Sequence, residues 1–176
     1  LFFSCGGNKN IPDVSSIKID IGTKRFEQDF FKMDTTRIAE SINILLKKYP
    51  DFLPDFIGNI LGLDLDSLSI PGNPQHEAVR SFLHDYQPIK DSSDLLYKNF
   101  TKDADAIIKG LQFVKYYFPQ YKIPESIITF IGPINANFAT SFGIQGDVLT
   151  PTGFGIGLQL HRGRNFSFYR SREGLE

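Results

Sequence analysis

Apolar and polar positions along the chain switch between two periods. Ile17, Ile19 and Ile21 alternate with Lys18 and Asp20, the period of a half-buried strand, so a first strand is expected near 16–22. Ile38, Ile42, Leu45, Leu46 and Tyr49 fall on one helical stripe and predict an amphipathic helix over 35–48. Asp34-Thr35-Thr36 offers cap oxygens before it, Lys47 and Lys48 suit the negative end of its dipole, and Pro50 ends it. Phe52, Phe56, Ile57, Ile60 and Leu61 predict a second, shorter helix with Pro54 in its first turn and Gly62 as its stop. Residues 63–74 are rich in turn formers. Val79, Leu83 and Tyr86 share one side of a helix over 75–86, and 95–100 reads as a short helix. A long helix starts at Thr101 to Asp103 and reaches Phe118, with Ile107, Leu111, Val114 and Phe118 as its expected buried stripe and Pro119 beyond it.

Two later stretches have strand character. Ile127, Ile128, Phe130 and Ile131 form a β-rich apolar run closed by Gly132-Pro133, predicting a strand over 126–131. Ile156, Leu158 and Leu160 alternate within 154–161, behind a run of glycines that permits close strand packing or a bulge. The expected fold class is α+β, mostly helical with a small β-sheet. The stretch 111–134, a helix end, a proline-pinned turn and a strand, is expected to carry its core.

Composition narrows the function classes. With 176 residues and 41 % hydrophobic content the chain can build one domain, and 17 Phe make its core aromatic. Lys plus Arg total 19 against 20 Asp plus Glu, so the basic excess of a nucleic-acid binder is missing. No run approaches the roughly 18 apolar residues of a membrane-spanning helix. A single cysteine rules out an intrachain disulfide.

That cysteine sits in a telling place. The opening LFFSCGGNKN runs from an apolar stub through a small residue to Cys5 and then a glycine-rich polar segment. This is the pattern around a bacterial lipoprotein cleavage site, in which the Cys5 thiol takes the lipid. The competing reading is a buried free cysteine in an apolar strand. The position of the lone Cys at the junction favours lipidation. The expected organisation is a signal-peptide remnant at 1–4, a lipid-anchored tether at 5–13, and a single α+β domain over 14–176.

Candidate chemistry is sparse. His76 and Glu77 begin like a HExxH zinc helix, but Arg80 stands where the second histidine belongs. His76 and His84 are two turns apart, too far to share an ion on one helix, and both read as surface or cap residues. Asp64, Asp66 and Ser67 lack the remaining ligand positions of a calcium loop. Gly153, Gly155 and Gly157 lack the third glycine of a dinucleotide loop. No catalytic residue, metal site or cofactor is assigned. Arg25 reads as an ordinary surface cation. His161, Arg162 and Arg164, with Arg170 nearby, form the candidate interaction surface, because arginine pairs bidentately with carboxylates of a partner or peptide. An exposed hairpin turn is the plainer alternative for the same residues.

The run YYFPQYKIP at 116–124, the strand after it, the early Arg-Phe and paired-Phe segment (Arg25-Phe26, Phe30-Phe31), and GFGIGLQLHRGRNFSFY at 153–169 resemble the GldB family of Bacteroidetes lipoproteins. The resemblance covers the chain from Cys5 to about Arg172 and rests on order and spacing. It implies a cell-envelope lipoprotein held to the membrane by a lipid on Cys5. It also implies a role in gliding motility or the associated protein secretion, through contacts with proteins of that machinery and without catalysis. The segment after Cys5 lacks the acidic cluster that tends to accompany surface export in Bacteroidetes, which favours a periplasm-facing protein. In the family the chain continues with further helices, so the domain is expected to be incomplete at its C-terminus. Two other readings remain open. One is an envelope hydrolase of zinc-metallopeptidase-like fold whose catalytic helix lies beyond this chain. The other is a module that binds peptides by adding a strand to 154–160.

Overall fold

The computed structural model describes residues 11–134, 138–140, 143–150, 152–163 and 166. Residues 21–100 and 124–176 form one compact unit, and residues 1–20 and 101–123 form another. The larger unit holds β1 (Gly22–Arg25), α1 (Phe26–Phe30), α2 (Ile38–Lys48), α3 (Phe52–Asp55) continued by a π-turn over Phe56–Ile60, α4 (Leu65–Leu68) and α5 (Gln75–Leu96). Its second half supplies β2 (Ser126–Phe130), β3 (Phe138–Thr140), β4 (Gly143–Gln145), β5 (Val148–Leu149) and β6 (Gly153–Gly157), then a 3-10 turn over Leu158–Leu160. The smaller unit is built on α6 (Thr101–Tyr117).

The fold class is α+β, with a four-stranded mixed sheet in the order β1-β2-β6-β5. β1 runs parallel to β2 and β2 parallel to β6, while β5 closes the other edge antiparallel to β6. Arg25 lies opposite Thr129, and Phe130 opposite Gly157. β3 and β4 form a separate antiparallel pair. Every residue of β2 is buried, as a strand flanked on both sides should be. β6 is thin for a steric reason. A Cβ on Gly155 would come within 3.0 Å of the Phe52 ring, and one on Gly157 within 2.7 Å of the Gly146 carbonyl oxygen. These glycines let neighbouring groups approach closely.

The core is aromatic. Phe26, Phe30, Phe52, Phe56 and Phe130 are fully buried with Tyr49, Ile42 and Leu53. Phe26 meets four rings: Phe30, Tyr49, Phe52 and Phe56, at centroid distances of 5.4, 5.0, 4.9 and 4.8 Å. Offset and edge-to-face pairs at such distances add to the gain from area burial. Because α1 follows β1 without a loop, the ring of Phe26 enters this cluster directly from the sheet.

Several elements differ from the periodicity. The first strand begins only at Gly22; Ile17, Ile19 and Ile21 are half-buried and Lys18 and Asp20 exposed, so the alternation of faces is real but, among the described residues, pairs with no strand. The strand expected over 154–161 ends at Gly157, and the 3-10 turn follows. The helix expected over 75–86 runs on to Leu96 through Pro88. An interior proline normally ends a helix. Here Pro88 is exposed, and the burial of Ile89, Lys90 and Ser93 just beyond it holds the helix together. Asp91 and Asp94 are therefore helical residues, and Asp94 pairs with Lys90 at 2.5 Å. Part of the connector at 63–74 folds as α4, whose cap is Asp64, accepting from the Ser67 N–H at 3.1 Å. Gly62 stops the preceding turn with φ of 66°. In α6 no residue is fully buried, and Phe118, expected on its buried stripe, is 66 % exposed. The core thus belongs to the segments around 26–57 and 126–131, and 111–121 stands outside it.

Candidate interaction site at the carboxyl ends of the strands

In sheets with parallel strands, the crevice outside the strand carboxyl ends is where ligands and partners are usually met. Here that edge is formed by the ends of β1, β2 and β6. It gathers Arg25, Glu27, Thr129, Tyr97, His161 and Arg162.

Arg25 closes β1 and Glu27 opens α1, so the strand-to-helix junction sets the two side chains against each other. Arg25 Nε donates to Glu27 Oε1 at 2.6 Å, and Nη1 donates to the Tyr97 carbonyl at 2.9 Å. The guanidinium also stands 5.6 Å from the centroid of the Phe100 ring. Glu27 is 1 % exposed, and its Oε2 accepts from the Thr129 hydroxyl at 2.7 Å. Burial pushes its carboxyl above the ordinary range, while Thr129 and Arg25 pull it back down. Arg25 is thus a half-buried partner of an internal carboxylate, not a free surface cation. The signal in the sequence is the Arg-x-Glu spacing across a junction that the alternation of Ile17 to Ile21 places too early.

His161 lies just past the 3-10 turn and is exposed. Its Nε2 is 3.3 Å from Asp147 Oδ1, which also accepts from the Gly157 N–H at 3.0 Å. The bond to Asp147 raises the imidazole above its usual value, against an opposing effect of burial. The Tyr97 hydroxyl donates to the His161 carbonyl. Tyr97 therefore links Arg25 on one side to His161 on the other. Arg162 turns toward α5: Nη1 donates to the Ile89 carbonyl at 3.1 Å and the Ser93 hydroxyl at 2.6 Å, and Nη2 to the Ser92 hydroxyl at 2.5 Å. It also lies 4.7 Å from the centroid of the Phe166 ring. His161 and Arg162 are adjacent but differently engaged, the first facing outward and the second fastened to the helix. Arg164, Arg170 and Cys5 lie outside the described residues.

The other histidines stand apart from this edge. His76, expected at the surface, is 5 % exposed and donates from Nε2 to the Leu68 carbonyl at 3.0 Å, fastening α4 to α5. His84 is exposed beside Asp85. Among the described residues no three His, Cys, Asp or Glu side chains come together as a metal site. No described helix is long and apolar enough to cross a membrane. β6 has neighbours on both sides, so the strand-addition site expected at 154–160 is occupied, and the edges among the described strands of this sheet are β1 and β5. A groove of about 330 Å³ runs between α1 and α2, lined by Asp29, Asp34, Arg37, Ile44 and Lys48 among others. Its charges pair internally: Lys48 Nζ meets Asp29 at 2.6 Å, and Thr36 and Arg37 hold the Asp34 carboxyl down at about 2.

Comparison with known proteins gives one family. The model described as gliding motility protein GldB matches residues 7–176. No curated protein and no solved structure matches the chain.

Proposed function

The chain belongs to the gliding motility protein GldB family, and we propose that it is a cell-envelope lipoprotein working by protein contacts and without catalysis in gliding or the associated secretion. The match along residues 7–176 carries this reading. The lipid sits on Cys5, with the polar segment after it as tether and the α+β body facing the periplasm. The contact surface is the strand-end edge centred on His161, and Arg164 and Arg170, which follow it in the sequence outside the described residues, are the other cations assigned to it. Arg162 contributes by fixing the 161–163 backbone to α5 through Ile89, Ser92 and Ser93. A surface whose polar groups are braced from beneath keeps one shape on docking, which lowers the ordering cost of association.

The anchor is tested in cells fed a clickable fatty-acid analogue. The complete gene product is expected to take up label, and Cys5→Ser to lose it entirely. Label retained by Cys5→Ser, or absent from the parent protein, would show that Cys5 is not the lipid site.

A further inference from the structure

The end of α6 presents four aromatic rings to water. Tyr116, Tyr117, Phe118 and Tyr121 are 49, 59, 66 and 38 % exposed. They follow one another around the helix end and the turn after it, where the Phe118 N–H bonds the Val114 carbonyl and the Tyr121 N–H bonds the Phe118 carbonyl. A cluster of exposed large rings differs from scattered surface apolar residues and marks a surface that is covered in use.

Charge indicates what covers it. From Ala106 to Lys122 the charged residues are Lys109, Lys115 and Lys122, with no carboxylate among them. Lys115 Nζ reaches the Tyr121 carbonyl at 3.0 Å, so a cation stands within the aromatic cluster. Tyrosine rings mixed with lysines match the headgroup layer of a bilayer, where apolar ring faces sink and hydroxyls and ammonium groups stay wet. The start of the chain points to the same place. Gln112 Nε2 donates to the Ile17 carbonyl at 2.8 Å, and Asp13 feels the charge of Lys109, so the stretch leading from the tether runs beside α6. Seven residues lie between Cys5 and Asp13, and a chain of that length spans at most about 28 Å when fully extended. Lys109 to Tyr117 spans about 12 Å of helix. A lipid on Cys5 is thus within reach of the bilayer on which the rings would rest.

We infer that Tyr116, Tyr117, Phe118 and Tyr121, with Lys115 and Lys122, form a membrane-contacting face that rests on anionic lipid headgroups beside the anchor. This rests on the lipoprotein reading for its geometry, but it has an independent test.

The test is flotation of the purified, unlipidated Cys5→Ser chain with vesicles of phosphatidylcholine, with and without phosphatidylglycerol. The chain is expected to float with the anionic vesicles, less with phosphatidylcholine alone, and less as salt is raised. Tyr117→Ser with Phe118→Ser is expected to lower the bound fraction about tenfold or more, since two large rings leave the apolar layer. Circular dichroism of the double variant should match the parent, because both side chains are exposed. Failure of the Cys5→Ser chain to float at any composition, or equal flotation of the double variant, would overturn the inference. Flotation without fatty-acid label in cells would sink the anchor alone, and label without flotation would sink this face alone.

Discussion

Replacing Phe26 with alanine is expected to lower the unfolding free energy by about 3–5 kcal/mol. The side chain is fully buried and is the point at which the sheet meets the helices: β1 ends at Arg25, and the next residue touches Phe30, Tyr49, Phe52 and Phe56. Removing the ring leaves a cavity bounded by other rigid rings, which cannot collapse into it as flexible side chains would. The lost burial and the residual cavity therefore both count. Phe118→Ala is the control, because that ring is 66 % exposed, and its cost is expected to stay within about 0.5 kcal/mol. Urea unfolding of the two variants measures the contrast. Equal costs would mean that the aromatic cluster around Phe26 is not the core.

Arg25→Met is expected to cost a similar amount near pH 7, about 3–5 kcal/mol, for an electrostatic reason. It leaves the Glu27 carboxylate enclosed with the Thr129 hydroxyl as its remaining side-chain partner. The pH dependence identifies the cause. Burial holds the folded-state carboxyl above its unfolded value, so the folded state keeps a proton that the unfolded state has already released. Stability is then greatest below the ordinary glutamate range and falls as pH rises toward the raised folded value. Without Arg25 that folded value rises further and the loss at neutral pH deepens. Much of the deficit of Arg25→Met should therefore be recovered near pH 4, where Glu27 takes up a proton. Adding Glu27→Gln should recover part of it at pH 7. A deficit independent of pH and unrelieved by Glu27→Gln would point to lost packing against Phe100 instead.

The parts of the fold that local pattern governs were legible. α2, the helix over 52–60 with its stop at Gly62, and β2 follow from stripe, cap and breaker residues, and the α+β class follows from them. Elements set by distant packing were not. The stripe of Val79, Leu83 and Tyr86 predicts a helix only over 75–86, and its continuation through Pro88 to Leu96 depends on the burial of Ile89 and Ser93. Ile17 to Ile21 alternate like a strand, yet ladder pairing starts at Gly22, where β2 comes alongside. Phe118 fits a buried stripe by spacing and is exposed in the structure, because spacing names a shared face but not what covers it. The candidate site divides in the same way. His161 and Arg162 stand out as polar residues after a strand, whereas Arg25, Tyr97 and Asp147 join them only through contacts between residues far apart in the chain.

The most direct test of the proposed role is a crosslinked pull-down of the complete gene product from native membranes, read by mass spectrometry. The account predicts recovery of gliding or secretion components, and their loss when His161 and Arg164 are replaced by glutamate in a protein that still folds. Recovery of nothing beyond background, or a partner set unchanged by those substitutions, would contradict it.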